Sequence, residues 1–267
     1  MNQSVVATKP SSQSLSELKP PEAFCLPAGY RQQPRNLTLD TARGDEPYWN
    51  SWRLSENAKY QHYVYRWAAR LLWRTHWIRV LDVGCGPAVK LQQIIVPALE
   101  AICKLKGNGA TPFLLGIDQE SAVAAAQATC ATGRFLTVDL ESPRVTLEHQ
   151  FDLIICADVI EHLVNPDANL SLMRRCLAPG GRILLSTPDR ERERGRDCMA
   201  SNKPEHVREW SRLEFQKFLT SRGFEYHVSR RFPKADLPIG PMRKTERDYQ
   251  HCVAALSPLC CQAVLCS

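Results

Sequence analysis

No two of the eleven cysteines in this 267-residue chain stand three positions apart as C-x-x-C, so the paired ligands of a common zinc site are missing. Cys85, Cys103, Cys156 and Cys176 sit in apolar stretches, and Cys260 and Cys261 are adjacent. Reduced thiols in a cytoplasmic protein are therefore expected, not a disulfide framework. No apolar run approaches the roughly 18 uninterrupted residues of a transmembrane segment. The opening M-N-Q-S-V-V-A-T-K-P lacks a charged stretch leading into an apolar core, so no secretory signal is expected. Repeats are absent, and no dense basic stripe occurs. A net charge of +6 permits an anionic substrate without marking a nucleic-acid surface. Nothing in the pattern sets an oligomeric state.

What is present belongs to a globular enzyme-sized chain: 44% hydrophobic residues, 23% charged, and length enough for a full core. Residues 1–40 are rich in Ser, Pro, Gln and Lys without periodicity and are expected to form a disordered tail. Residues 41–77 concentrate Trp and Tyr. A helix is expected from Asn57 to Trp73, with Tyr60, Val64, Trp67 (or Ala68) and Leu71 on one face. That face packs on a sheet or forms a lid over a substrate. Arg66, Arg70 and Arg74 beside Trp67, Trp73 and Trp77 offer a third use, contact with an anionic membrane surface.

Residues 78–267 read as one domain organised around I-R-V-L-D-V-G-C-G-P-A, Ile78 to Ala88. A short apolar run passes Asp82, reaches Gly84 and Gly86, and gives way to a helix expected from Leu91 to Lys104. Strand, glycine turn and helix in that order make a nucleotide-binding loop at the edge of a parallel sheet. A second strand, Phe113 to Ile117, ends in Asp118, placed where a carboxylate accepts from ribose hydroxyls. A third ends in Asp139, followed by Leu140; a turn or helix cap is the competing use of Asp139. A fourth runs from Phe151 to Ala157 into D-V-I-E-H-L, then a helix from about Pro166 to Leu177 stops at A-P-G-G. Strand five is R-I-L-L-S-T. The run D-R-E-R-E-R-G-R-D after it reads as a solvated, mobile loop whose arginines could swing over an anionic ligand. Ser211 N-caps a helix reaching Arg222; strand six is Tyr226–Arg230, a Pro-rich excursion spans Pro233–Pro258, and a last strand falls at Cys261–Cys266. The sum is a three-layer α/β, Rossmann-like, doubly wound sheet of seven strands with a C-terminal antiparallel hairpin.

These ordered pieces, V-L-D-V-G-C-G-P-A, G-I-D-Q, V-D-L-E, F-D-L-I-I-C-A-D-V-I-E-H-L and L-A-P-G-G-R-I-L-L-S-T-P, resemble the class I S-adenosylmethionine-dependent methyltransferases. The resemblance implies S-adenosyl-L-methionine as cofactor. It assigns its methionine end to Asp82, Gly84 and Gly86, its ribose to Asp118, its adenine to Asp139 and Leu140, and a place beside the sulfonium to Ala157. Ala88 stands where the third glycine of the loop is common. A nicotinamide dinucleotide would need G-x-G-x-x-G, and Val89 occupies the last position.

His162 and His206 each follow a glutamate after a strand end, and either suits a general base acting on a hydroxyl. The favoured expectation is therefore an O-methyltransferase of a small molecule, resembling the ubiquinone-biosynthesis, natural-product and sugar enzymes, with no metal ligand assigned. A second reading gathers Asp158, Glu161, His162 and His206 around one divalent cation. It resembles the small-RNA 3′-terminal 2′-O-methyltransferases, to which H-V-R-E-W-S-R-L-E-F is also similar. A third makes the chain a non-catalytic partner subunit of methyltransferase fold.

Overall fold

Val80, Leu81 and Val83 are completely buried in β1 (Arg79–Val83), as befits a strand covered on both faces. The computed structural model describes residues 18–36, 51–57, 60–107, 109–142, 144–232 and 251–258. In it β1 lies between β2 (Phe113–Asp118) and β4 (Phe151–Ala157), with β3 (Arg134–Thr137) outside β2 and β5 (Leu177–Pro188) outside β4. All these pairings are parallel, giving a five-strand Rossmann-like α/β body ordered β3-β2-β1-β4-β5. The chain winds outward in both directions from β1 and β4, so a crevice opens beyond their C-terminal ends. β7 (His251–Pro258) runs antiparallel beside β5, and β6 (Phe224–Phe232) antiparallel beside β7.

Helices cover the sheet because their apolar stripes match its two faces. One side carries α2 (His62–Thr75), α3 (Val96–Lys106) and α4 (Glu120–Thr129), which bury Leu72, Leu99 and Val123; a shorter α1 (Ser51–Asn57) precedes them. The other side carries α5 (Pro166–Cys176) and, after a short α6 (Arg190–Arg194), α7 (Arg212–Ser221), which bury Met173, Phe215 and Phe218. Ser211 caps α7 with a reciprocal box to Glu214, as its sequence position predicts.

Several expectations are corrected. Residues 18–36 are no loose tail: Phe24, Leu26 and Tyr30 are core residues, and the Trp210 indole donates to the Phe24 carbonyl at 2.9 Å. The helix expected from Asn57 is broken by Gln61, whose φ of 69° is left-handed, and its buried stripe is Val64, Tyr65, Ala68 and Leu72, so Leu71 gives way to its neighbour. Trp73 and the three arginines of α2 are exposed. The helix expected from Leu91 opens instead as a π-turn, Leu91–Ile95, in which the Val96 N–H reaches Leu91. Pro97 explains it, because proline cannot donate to residue 93 and its ring crowds that carbonyl.

The charged run after β5 is anchored by two of its arginines, Arg190 to Glu214 at 2.5 Å and Arg194 to Glu209, while Arg196 stays exposed. β7 occupies part of the expected Pro-rich excursion. The strand expected at Cys261–Cys266 lies outside the described residues, as does 233–250. Among the described residues no helix is long and apolar enough to cross a membrane.

Candidate active site

The parallel register puts Asp82 level with Gly116 of β2 and Ile155 of β4, at the mouth of the crevice. Asp82 is fully buried. Its Oδ2 accepts from the Tyr65 hydroxyl at 2.9 Å, while Oδ1 has no hydrogen-bond partner. Burial pushes its carboxyl up to about 7, against the pull of Tyr65 and Lys90. Such an orphaned oxygen calls for a donor, which a cofactor ammonium would supply. Next to it the loop turns on Gly84 and Gly86, both with positive φ. Gly84 is required for a reason the sequence does not show: an added Cβ would lie 2.3 Å from the Val159 side chain. That space is filled by the segment after β4.

Asp118 holds this loop from the adjacent strand. Its Oδ2 accepts the Gly86 N–H at 2.8 Å and its Oδ1 the Gln119 N–H at 2.7 Å. Burial raises its pKa and those two bonds oppose the rise. Asp139 falls beyond the end of β3, exposed, and caps a turn by accepting the Glu141 N–H at 3.0 Å. Leu140 is half-buried against the core. The Ala157 carbonyl receives the Gln61 side-chain amide at 3.1 Å. Lys90, almost wholly buried, donates to the Asn57 carbonyl and to Asn57 Oδ1, which ties the end of α1 to the segment after the glycine loop. Burial lowers the Lys90 pKa to about 8.

A second group assembles nearby. After β4 the chain turns through Asp158 (φ 54°) into a 3-10 turn, Ile160–His162. One ligand atom from each of Glu161, His162 and His206 lies within 4.8 Å of the others. His162 Nδ1 is 2.8 Å from the Glu205 carbonyl, and His206 Nδ1 is 2.5 Å from Glu209 Oε1. Both partners only accept, so each Nδ1 carries a proton, and Nε2 is the ring nitrogen left to serve a ligand. Glu161 Oε2 accepts from Thr187 at 3.2 Å, and its Oε1 has no hydrogen-bond partner. Burial and then Asp158 push the Glu161 carboxyl well up; burial and then His206 push His162 down to about 4.

Two imidazole nitrogens and an orphaned Glu161 oxygen, with both imidazoles held from behind, form a donor set that fits a divalent cation. An imidazole at about 4 is a feeble proton acceptor near neutrality but a sound neutral ligand. Asp158 stands outside this group, its Oδ1 accepting from Ser186 at 2.7 Å.

The residues that sequence reasoning missed are the supporting ones. Tyr65 was hidden in an aromatic stripe, and Lys90 and Gln61 carry no motif. Glu209 could have been found three positions after His206, where a carboxylate can turn back onto the ring.

Crevice, glycine loop and acid-bearing strand ends have the arrangement of a class I S-adenosylmethionine-dependent methyltransferase. A methyltransferase-domain family profile matches residues 54–228, and the chain belongs to that family. Among curated relatives, ubiquinone biosynthesis O-methyltransferase of Psychrobacter arcticus is 32% identical over 115 residues, covering 42% of this chain and 41% of the relative. That of Pseudomonas entomophila is 32% identical over 120 residues, covering 42% and 45%. The match thus spans under half the length of these relatives.

Two solved structures share the fold. One is an S-adenosylmethionine-dependent methyltransferase from Clostridium acetobutylicum (TM-score 0.51, 11% identity, covering 76% of this chain and 94% of the other). The other is the plantazolicin methyltransferase BpumL (TM-score 0.51, 15% identity, covering 74% and 83%).

Proposed function

We propose that this protein methylates a hydroxyl oxygen, and that Glu161, His162 and His206 hold the divalent cation that prepares that hydroxyl. The observation carrying this reading is the convergence of one ligand atom each from Glu161, His162 and His206 within 4.8 Å, with Glu161 Oε1 left without a hydrogen-bond partner. The name shared by the curated relatives, an O-methyltransferase, supports oxygen as the target.

Asp82, Gly84 and Gly86 would receive the methionine end of the cofactor, Asp118 the ribose, Asp139 and Leu140 the adenine, with Ala157 near the sulfonium. The cofactor supplies a methyl group on a positively charged sulfur. The new O–CH3 bond forms as the S–CH3 bond breaks, sulfur keeps the electron pair, and the hydroxyl proton must leave. A bound cation supplies Lewis acidity, which lowers the pKa of a hydroxyl. His162 and His206, proposed as bases from sequence, are here read as ligands.

The acceptor in this reading is a small hydroxylated molecule, with the α1–α2 joint acting as a lid. We read β6 and β7 as the closing antiparallel pair of a three-layer, seven-stranded sheet. Cys25, Cys85, Cys103, Cys130, Cys156, Cys176 and Cys198 are free thiols, which supports a reducing, cytoplasmic setting.

A second reading gives the same donor set another acceptor, the 3′-terminal ribose of an RNA, whose neighbouring 2′ and 3′ hydroxyls could meet one cation together. The experiment is methyl transfer from labelled cofactor to a panel of catechols and to short RNAs with free or periodate-cleaved 3′ ends, with and without Mn²⁺. Transfer to a catechol supports the small-molecule reading, and transfer only to intact RNA ends replaces it. Full activity in a strong chelator would remove the cation from the reading.

A further inference from the structure

Glu209 has no exposed surface, yet its carboxylate is surrounded by donors. Arg194 Nε meets Oε2 at 3.0 Å and Arg194 Nη2 meets Oε1 at 2.9 Å. The Ser201 hydroxyl reaches Oε1 at 2.9 Å, and so does His206 Nδ1 at 2.5 Å. From the opposite side, the Glu209 backbone N–H donates to the Tyr30 hydroxyl at 2.9 Å. Arg194 belongs to α6, whose own Arg190 is fixed by Glu214 and by the Cys198 carbonyl at 3.0 Å. The charged run after β5 thus ends on the back of the candidate cation site, a role that its alternating sequence does not announce.

We propose that Glu209, gripped by Arg194, is a positioning residue that fixes His206 as the Nδ1–H tautomer and aims its Nε2 lone pair at the point shared with Glu161 and His162. This rests on the cation reading given above. A carboxylate only accepts, so the proton in the His206–Glu209 bond stays on the ring nitrogen. Arg194 occupies both carboxylate oxygens in a forked pair and removes the freedom to rotate. His162 is oriented differently, by a backbone carbonyl that no side-chain substitution removes. Tuning of the site from outside therefore falls on His206. A carboxylate behind a ligating imidazole also raises the electron density of its far nitrogen.

The test compares wild type, Glu209→Gln and Arg194→Gln by two readouts. Long-range proton–nitrogen spectra of the metal-free protein report which ring nitrogen of His206 is protonated. Calorimetric titration with Mn²⁺ reports the site's affinity. Wild type is expected to show Nδ1 protonated and Nε2 bare. In Glu209→Gln the amide can donate as well as accept, so that single pattern is lost and Mn²⁺ binding weakens 10- to 100-fold. Arg194→Gln should blur the pattern and weaken Mn²⁺ severalfold.

An unchanged His206 pattern in Glu209→Gln, with unchanged Mn²⁺ affinity, overturns the proposal. If wild type takes up no Mn²⁺, the cation reading fails, and the nitrogen spectra still decide what Glu209 does. Should Glu209→Gln fail to fold by circular dichroism, the Arg194→Gln spectrum carries the decision, and no change there overturns the proposal.

Discussion

The side-chain amide of Gln61 donates to the backbone carbonyl of Ala157 at 3.1 Å, from a residue held in a left-handed conformation at the start of α2. In the cofactor site proposed above this carbonyl would be a second acceptor for the methionine ammonium besides Asp82, and Gln61 supplies it with a donor from the chain itself. In the proposed site the Gln61 amide therefore competes with the ligand for this acceptor. Removing one such hydrogen bond is worth about 1 kcal/mol. Gln61→Ala should therefore bind S-adenosylhomocysteine about fivefold more tightly in calorimetry. Weaker binding would instead make the amide a contact to the cofactor.

Gly84 and Val159 form a second coupled pair across the crevice. An alanine at 84 would meet Val159 Cγ2 at 2.3 Å and would also have to adopt a φ of 74°. Gly84→Ala should destabilise the protein by about 2–4 kcal/mol, a sum of overpacking and left-handed strain. Adding Val159→Ala removes the collision but not the strain, so the double variant should recover part of the loss in urea unfolding. No recovery at all would mean that backbone strain, not the collision, governs this position.

The parts of the fold legible in the sequence were those written in local pattern. β1, β4 and the capped α7 stand where apolar runs and Ser211–Glu214 put them. Asp118 stands at the end of β2, where its apolar run put it. What failed was set by contacts between distant segments. Residues 18–36 look featureless, yet Tyr30 supports Glu209 across 179 positions. The arginines of α6 look solvated, yet their partners come from a segment after the next loop. The stripe of α2 was misread by one residue because Gln61 resets the helix start, which periodicity alone does not reveal.

Ala88 occupies the position of a third glycine and pays for it in conformation, with a φ of 57°. Left-handed backbone costs an alanine roughly 1–2 kcal/mol, while glycine loses some of that gain through its freer unfolded chain. Ala88→Gly is expected to stabilise the protein by about 0.5–1 kcal/mol, read as a higher urea midpoint with unchanged slope. A lower midpoint would show that the buried methyl group contributes more packing than the strain removes.

The buried carboxyl of Asp82 fixes the sign of one pH dependence. Its pKa rises from 3.8 to about 7, mainly through burial, so the folded protein holds this proton more tightly than the unfolded chain. Stability from this group is complete below pH 4 and drains away as pH climbs to 7. Glu161 and Asp118, also raised by burial, act in the same direction. His162, lowered from 6.5 to about 4, works against them, because only the unfolded chain protonates it in that interval. Asp82→Asn removes one falling component without touching the rising one. Its stability, from urea midpoints at half-unit steps between pH 4 and 7, should therefore decline less than that of wild type, the two curves parting by a few kcal/mol at most, since one unit is about 1.4 kcal/mol. Parallel curves would mean that Asp82 is already ionised at pH 4, with its charge balanced by Lys90 and Tyr65 in the folded crevice.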